Sequence, residues 1–420
     1  MSKRWFRLDT AGLIFPAVAH SDWANVFRFS ATLKEPVDPK ILQQAADDLR
    51  SRFPSFYVRL KRGLFWYTLQ EVRKSPQIRE DYAYPLTFMG RRERQTCCLR
   101  ILYYRNRIAV ECFHSLSDGR GGSVYLLSLT ARYLERKYGL SVPAGPLVLK
   151  AGDPPSPEET EDSFLKNAAP AAASRGEPRA YRLHGHREIR GFRHLTTGIL
   201  PTDELLSLAH RYQVSVTCFL AGLMARCIMD MQDQEAPRKH QRPVRITLPV
   251  DLRRLYGSRT LRNFSLVLNL GVDPRFGDYS LQELCTVISH QLAAENTPQH
   301  MAGIIASNVQ PQQILALRLA PVGIKNAVMR LVYRRAGECG GCINLSNLGL
   351  VRLPAEMAER VELLEFIIGP QLSYPNNCSV VSYGGKTVIS MIRNIRESEL
   401  ERRFFSALVA LGVPVAIESN

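Results

Sequence analysis

Phe113-His114-Ser115-Leu116-Ser117-Asp118-Gly119 sets an imidazole, a carboxylate and a glycine close together, directly before a segment opened by Gly121-Gly122. Imidazole is the side chain whose ordinary pKa suits removal of a proton near neutrality. Asp118 would orient the loop or the ring, and Gly119 would let backbone approach closely. The same residues also suit an unreactive turn, in which His114 merely hydrogen-bonds and Asp118-Gly119-Arg120-Gly121 is turn chemistry. A loop leaving the C-terminal end of a strand is where a side chain reaches a cleft, so on these residues alone proton transfer and turn chemistry stand level.

Other arrangements are defective. Gly384-Gly385-Lys386-Thr387 matches the end of a phosphate-binding loop, but the glycine required upstream is Val380. Gly119-Arg120-Gly121 begins a dinucleotide-binding run that fails at Val124, and the serine-hydrolase Gly-x-Ser-x-Gly elbow is absent. Cys112 shares a strand face with His114, yet i, i+2 side chains seldom reach hydrogen-bond geometry, so a core thiol is expected there. Cys339-Gly340-Gly341-Cys342 lacks a second ligand pair, and His184-Gly185-His186 is too sparse, so no metal site is expected.

The elements that must carry the motif are periodic. Val26–Leu33 alternates as a strand does, and Asp38 caps a helix begun at Pro39 with Ile41, Ala45 and Leu49 at helical spacing. Phe56–Leu69 and Cys98–His114 read as strand or hairpin pieces, and Ser123–Lys137 as an amphipathic helix stopped by Gly139. From Ser141 to Gly185 the composition turns to Pro, Ala, Glu and Ser, the mark of a linker or surface crossover. Beyond it come a strand near Ile189, helices over Asp203–Tyr212 and Thr217–Met231, and a buried strand Val244–Pro249 running into Arg253. Leu261–Leu270, Gly341–Asn347 and Cys378–Met391 supply further strands, and Glu397–Leu411 a late helix. Strand, helix and strand thus recur in order. The expected fold is α/β (α+β) in two lobes, 1–150 and 189–420, joined by a crossover over 151–188, with a cleft between them.

Composition agrees with a globular chain. Of 420 residues, 45% are hydrophobic and 22% charged, too apolar for disorder and enough for a large core. No apolar run approaches the roughly 18 residues of a membrane span. Lys3, Arg4 and Arg7 before Ala11–Ala19 imitate a secretory signal, but Asp9, Gly12 and Pro16 interrupt it and a core segment is expected. Nine cysteines, an odd number, suit reduced thiols in the cytoplasm. The net charge of +16 favours an anionic partner, whether phosphate, nucleic acid or an acidic membrane surface. The arginines are spread along the chain rather than clustered, and no nucleic-acid-reading module is present, so specific nucleic-acid binding is not expected.

The His114–Gly119 motif resembles the HxxxDG signature of the CoA-dependent acyltransferase superfamily, whose members share the chloramphenicol acetyltransferase-like fold. Pro249-Val250-Asp251-Leu252-Arg253 with Leu261-Arg262-Asn263-Phe264 is similar to the second-lobe PVxxR and downstream Asn of wax ester synthases and bacterial alcohol acetyltransferase-like proteins. Ser346-Asn347-Leu348-Gly349 before Leu353-Pro354 is similar to their SN-G segment, and the likeness runs from Trp5-Phe6-Arg7-Leu8-Asp9 to the final helix. The resemblance implies two lobes with an active-site tunnel between them, and His114 as general base toward a hydroxyl or amine acceptor. It makes Asp118 structural, paired with an arginine for which Arg253 is the first choice and Arg245 and Arg262 the rivals. Gly119, Asn263, Ser346 and Asn347 then help to line or shape the tunnel, with Asn263 a candidate near the developing oxyanion. Acyl-CoA is the implied cosubstrate, its phosphates matching the basic excess, and neither a metal nor a permanently bound cofactor is needed. A condensation-type reaction from a carrier-protein thioester is the alternative within the fold. Many members carry a second histidine where this chain has Phe113, which leaves the subfamily open and keeps a catalytically inactive scaffold or anionic-surface binding protein, including peripheral membrane contact, among the readings.

Overall fold

The computed structural model describes residues 4–20, 23, 25–173, 176–333, 339–371 and 374–420. A five-stranded sheet runs in the order Val361–Ile368, Val26–Leu33, Arg107–Phe113, Leu99–Tyr104, Arg79–Glu80. Its alternating β-branched and aromatic residues bury one another in register, Val26 opposite Phe113 and Phe29 opposite Val110. Helix Pro39–Leu49 starts at Asp38, whose carboxylate accepts from Lys40 N at 2.8 Å and Ile41 N at 3.2 Å, and buries Leu42, Ala45, Ala46 and Leu49. Helix Gly119–Tyr138 packs beside it and ends at Gly139, whose φ of 65° makes a left-handed cap.

A seven-stranded mixed sheet runs Ser265–Val272, Val244–Asp251, Ile343–Leu350, Asn376–Tyr383, Lys386–Arg393, His194–Pro201, Ala416–Ser419. Ile343–Leu350 lies parallel to both of its neighbours, and the remaining pairs are antiparallel. Helices Val216–Glu235, Leu281–Glu295 and Glu399–Ala410 bury their apolar residues in a core on this sheet, separate from the core around Val26–Leu33. The small sheet Trp5–Arg7, Tyr67–Glu71, Val58–Arg62 completes the architecture. The fold is the two-lobed mixed α/β arrangement expected.

Several boundaries differ from expectation for physical reasons. The strand near Ile189 begins instead at His194, because Ile189 is exposed in the loop before it. Leu261–Leu270 becomes a loop up to Phe264 and a strand only from Ser265, since Phe264 N is drawn to the Asp118 carboxylate. The Gly341–Asn347 strand is shifted to Ile343–Leu350. Gly384 and Gly385, with φ of 59° and 77°, form a hairpin turn between two strands rather than a phosphate loop. The four helices between Leu281 and Val332 and the strand Val361–Ile368 have no counterpart in the sequence reading. Ala17 and Val18, in the apolar segment that imitates a signal, are buried, and Lys3 lies outside the described residues. No single helix among the described residues is long and apolar enough to cross a membrane. Thr202–Arg211 and Val216–Glu235 pass that test only as a pair bent by 76°, and their apolar residues lie in the second core.

Candidate functional site

His114 is the first residue after the strand Arg107–Phe113, and its backbone N–H donates to Asn25 O at 2.8 Å, so the loop leaves the sheet in a fixed direction. The imidazole stacks on Phe15 with ring centroids 4.3 Å apart and meets the Phe27 ring edge-on at 5.1 Å. The residue is half-buried. Burial pushes its pKa below the ordinary 6.5, only partly opposed by the Asp118 charge and hydrogen bonds, so the ring is neutral at pH 7.

Asn263, from the loop after Arg253, determines which nitrogen holds the proton. Its Nδ2 donates to His114 O at 2.9 Å and to the Asp9 carboxylate at 3.1 and 3.2 Å. Those partners only accept, so the amide oxygen must face His114 Nδ1, 3.1 Å away. Nδ1 therefore carries the hydrogen and Nε2 keeps its lone pair. Both amide hydrogens of Asn263 are thereby engaged, which leaves it none for an oxyanion.

Asp118 is occupied elsewhere. It is the N-cap of helix Gly119–Tyr138, accepting from Gly121 N at 3.1 Å, and takes a bidentate pair from Arg253 at 2.9 and 3.0 Å and the Phe264 N–H at 2.8 Å. Arg253 in turn donates to Asp251, Thr260 O and Arg262 O. Of the rival arginines, Arg262 pairs with Asp9 at 3.4 Å, and Arg245 reaches Pro178 O and Glu177. The carboxylate thus holds the loop from each half of the chain against the other, with its acceptor positions taken by Gly121, Arg253 and Phe264.

Gly119 comes tightly up to Leu348, whose Cδ2, the end of a flexible side chain, would lie 3.3 Å from an added Cβ. The closer approach is at Gly121, where a Cβ would fall 2.1 Å from both Leu261 O and Ser117 Oγ. Ser117 Oγ itself donates to Leu261 O at 2.5 Å, and Ser115 Oγ to Gly12 O at 2.9 Å. Asn347 turns instead to Thr217 Oγ1 at 3.0 Å and accepts from Gly349 N at 2.8 Å. Ser346 lies beside Ser379 in the sheet, so Leu348 is the member of this segment that approaches the motif.

Two contributors were not singled out from sequence. Asp9 is fully buried, and desolvation raises its pKa to about 6 despite Arg262, the Gly12 N–H and Asn263. Its signals were its place at the end of Trp5-Phe6-Arg7-Leu8-Asp9, where the family likeness begins, and an acid interrupting the approach to the apolar Ala11–Ala19 segment. The 151–188 crossover is the second, because it is pinned at the site rather than loose. Glu159 pairs with Arg52 and its carbonyl accepts from Leu261 N, and Asp162 accepts from Thr10 N at 2.9 Å. Residues 174 and 175 of that crossover lie outside the described set.

Cys112 is buried and its thiol is pushed far up by desolvation. Cys339 and Cys342 are buried, and His184 and His186 are exposed beside Glu235 and Glu397 respectively.

No family model matches the sequence, and no curated protein matches it. Solved structures do match in fold. Polyketide synthase associated protein 5 from Mycobacterium tuberculosis superimposes with a TM-score of 0.61 at 16% identity, covering 97% of each chain. F. graminearum TRI101 complexed with ethyl coenzyme A gives 0.62 at 10% identity over 96% of this chain and 97% of that one. The condensation domain of the Monacolin K polyketide synthase MokA gives 0.58 at 10% identity over 98% and 97%. The two-lobed mixed α/β fold of this chain is therefore shared along nearly its whole length with a protein crystallised with ethyl coenzyme A and with a condensation domain.

Proposed function

We propose that this chain is an acyltransferase that moves an acyl group from a coenzyme A thioester to a hydroxyl acceptor, with His114 as general base. The observation that carries this reading is the neutral imidazole whose Nδ1 hydrogen is committed to Asn263, leaving the Nε2 lone pair for the acceptor. Nε2 takes the acceptor proton while its oxygen attacks the thioester carbonyl. The tetrahedral intermediate then expels the thiolate, which recovers that proton from the imidazolium, so no acyl-enzyme forms. Asn263 and Asp9 are positioning residues that keep the ring in the required tautomer, and Asp118 with Arg253 fixes the loop. Gly119, Ser346 and Asn347 shape the surroundings through Leu348 and Thr217 rather than by contact with the reacting atoms. All nine cysteines are buried, which supports reduced thiols in a cytoplasmic setting.

Fold kinship with a condensation domain supports a second reading, in which a carrier-protein thioester is the donor. Thiol release over a panel of acyl-CoAs and alcohols tests the first reading, with carrier-bound thioesters in parallel. Turnover is expected with acyl-CoA and is expected to vanish in the His114→Ala protein with its fold retained. Undiminished turnover in that variant ends the base assignment, and turnover from the carrier alone moves the donor to the second reading.

A further inference from the structure

Leu64, Leu315, Leu319, Ile324, Leu331 and Val332 are each more than half exposed. Such side chains are unremarkable singly, but these stand on a hairpin tip and two helices that hydrogen bonds hold together. Ile324, Leu331 and Val332 recur at helical spacing along Val322–Val332, and Leu315 and Leu319 stand one turn apart on Leu315–Leu319. The hairpin tip carrying Leu64 is bonded to the longer helix and that helix to the shorter one: Val322 N donates to Leu64 O at 2.8 Å, and Lys325 Nζ donates to Phe65 O at 2.8 Å and to Arg318 O at 3.0 Å. The same ammonium lies 3.4 Å from the centre of the Trp66 ring.

The charge on this face has one sign. Residues 296–337 contain no Asp or Glu but include Arg318, Lys325 and Arg330, and the hairpin adds Lys61 and Arg62 without an acid between Val58 and Gln70. Lys61, Arg62, Arg318 and Arg330 are exposed around the apolar residues. Leucine and valine ringed by cations suit the boundary between acyl chains and anionic headgroups. They do not suit a second copy of this chain, because a two-fold contact through an acid-free face sets cation against cation.

We propose that this face docks the protein on an anionic lipid bilayer. The apolar side chains enter the headgroup boundary, and Lys61, Arg62 and Arg318 meet lipid phosphates. The underside of the docked helix is close to the candidate site: it packs on the short helix Phe15–Val18, with Arg330 Nε donating to Ala17 O at 2.6 Å, and Phe15 stacks on His114. Docking does not rest on the acyl-transfer reading and is measured without turnover.

The full chain and its His114→Ala variant are floated with vesicles of phosphatidylcholine alone, and with about one-third phosphatidylglycerol, in about 150 mM salt. Both proteins are expected to bind the anionic vesicles at least about tenfold more tightly than the neutral ones, weakening as salt rises. Leu331→Asp with Ile324→Asp is expected to abolish binding, and Arg62→Glu with Arg318→Glu to weaken it by about fivefold or more, with thermal unfolding unchanged in each. Bromine-labelled lipid is expected to quench Trp66 fluorescence, seen as quenching lost in Trp66→Phe. Equal binding to neutral and anionic vesicles, or undiminished binding by the surface variants, overturns the proposal. So does self-association in sedimentation that Leu331→Asp removes while vesicles go unbound, which makes the face an interface between copies.

Discussion

Asn263 and His114 hold each other through two hydrogen bonds, the amide oxygen to Nδ1 at 3.1 Å and the amide nitrogen to the histidine's own carbonyl at 2.9 Å. The amide cannot turn over without setting Nδ2 against Nδ1–H and its oxygen against the Asp9 carboxylate. Asn263→Ala removes this constraint while touching no substrate atom in the proposed reaction. The expected result is a fall in kcat of about a hundredfold, the lower range of what a positioned base contributes, with KM for the thioester unchanged. Imidazole nitrogen shifts should report a mixture of tautomers in the variant and a single one in the parent. A parent enzyme already populating both tautomers would remove Asn263 from this role.

The pair between Asp118 and Arg253 predicts a stability effect rather than a purely kinetic one. Both side chains are buried, so deleting either leaves an uncompensated charge and costs about 3–5 kcal/mol. Asp118→Ala also strips the helix cap, worth about 1 kcal/mol more. The double variant Asp118→Leu with Arg253→Met should therefore lose less than the two single losses combined, as urea unfolding would show. Additive losses would mean that the two groups do not stabilise each other.

How much of this arrangement can be read from residues alone varies with the range of the interaction that decides it. The helix at Asp38-Pro39 and the stop at Gly139 are local, because cap and turn chemistry sit within a few residues of the element. Arg253 could be preferred over Arg245 and Arg262 only through family resemblance. What separates them physically is that Val244–Asp251 ends just where Asp118 waits, a contact across 135 residues. Asp9 stands in the segment where the family likeness begins, but its role could not be read there, because nothing near it in sequence marks the Asn263 amide it meets. Val361–Ile368 pairs with Val26–Leu33 on the far side of the chain, and its run of apolar residues announces burial but not the partner. The helices from Leu281 to Val332 turn leucines and valines outward as well as inward, which blurs the one-sided pattern that marks a packed helix.

Gly121 should be far less replaceable than Gly119, although both open the same helix. Alanine at either position improves helix propensity by about 1 kcal/mol. At Gly121 the new methyl group would meet the Leu261 carbonyl, which is fixed by the seam between the halves, and a net loss of about 1–3 kcal/mol is expected. At Gly119 it would meet the flexible end of Leu348, and the change should stay within about 1 kcal/mol. Chemical unfolding of the two variants side by side decides the order, and a Gly121→Ala protein as stable as the parent would show that the seam has room.

The depressed pKa of His114 fixes the direction of its pH response. Because the folded ring takes a proton less readily than the unfolded chain does, it stays neutral as the pH falls past its ordinary 6.5. The stability it contributes is present above that value and declines as the pH drops below it, where the unfolded chain gains the proton first. Proton NMR of the imidazole should give a midpoint below 6.5, and the plateau in kcat/KM should extend below that pH. A midpoint at or above 6.5 would contradict a desolvated ring.

Asp9 responds in the opposite sense. Its folded pKa of about 6 lies above the ordinary 3.8, so between those values the folded protein binds the proton more tightly than the unfolded chain. Stability from this residue is therefore present at low pH and is lost as the pH rises toward 6, by up to about 3 kcal/mol at roughly 1.36 kcal/mol per pKa unit. Asp9→Asn removes the titration yet keeps an oxygen for the Gly12 and Asn263 N–H groups. Measured against the parent by urea unfolding from pH 4 to 7, the variant should gain relative stability steadily up to about pH 6 and then level off. Since other carboxylates titrate equally in both proteins, the difference isolates Asp9. A difference that stays flat across the range would mean that Asp9 remains ionised throughout, with Arg262 outweighing the cost of burial.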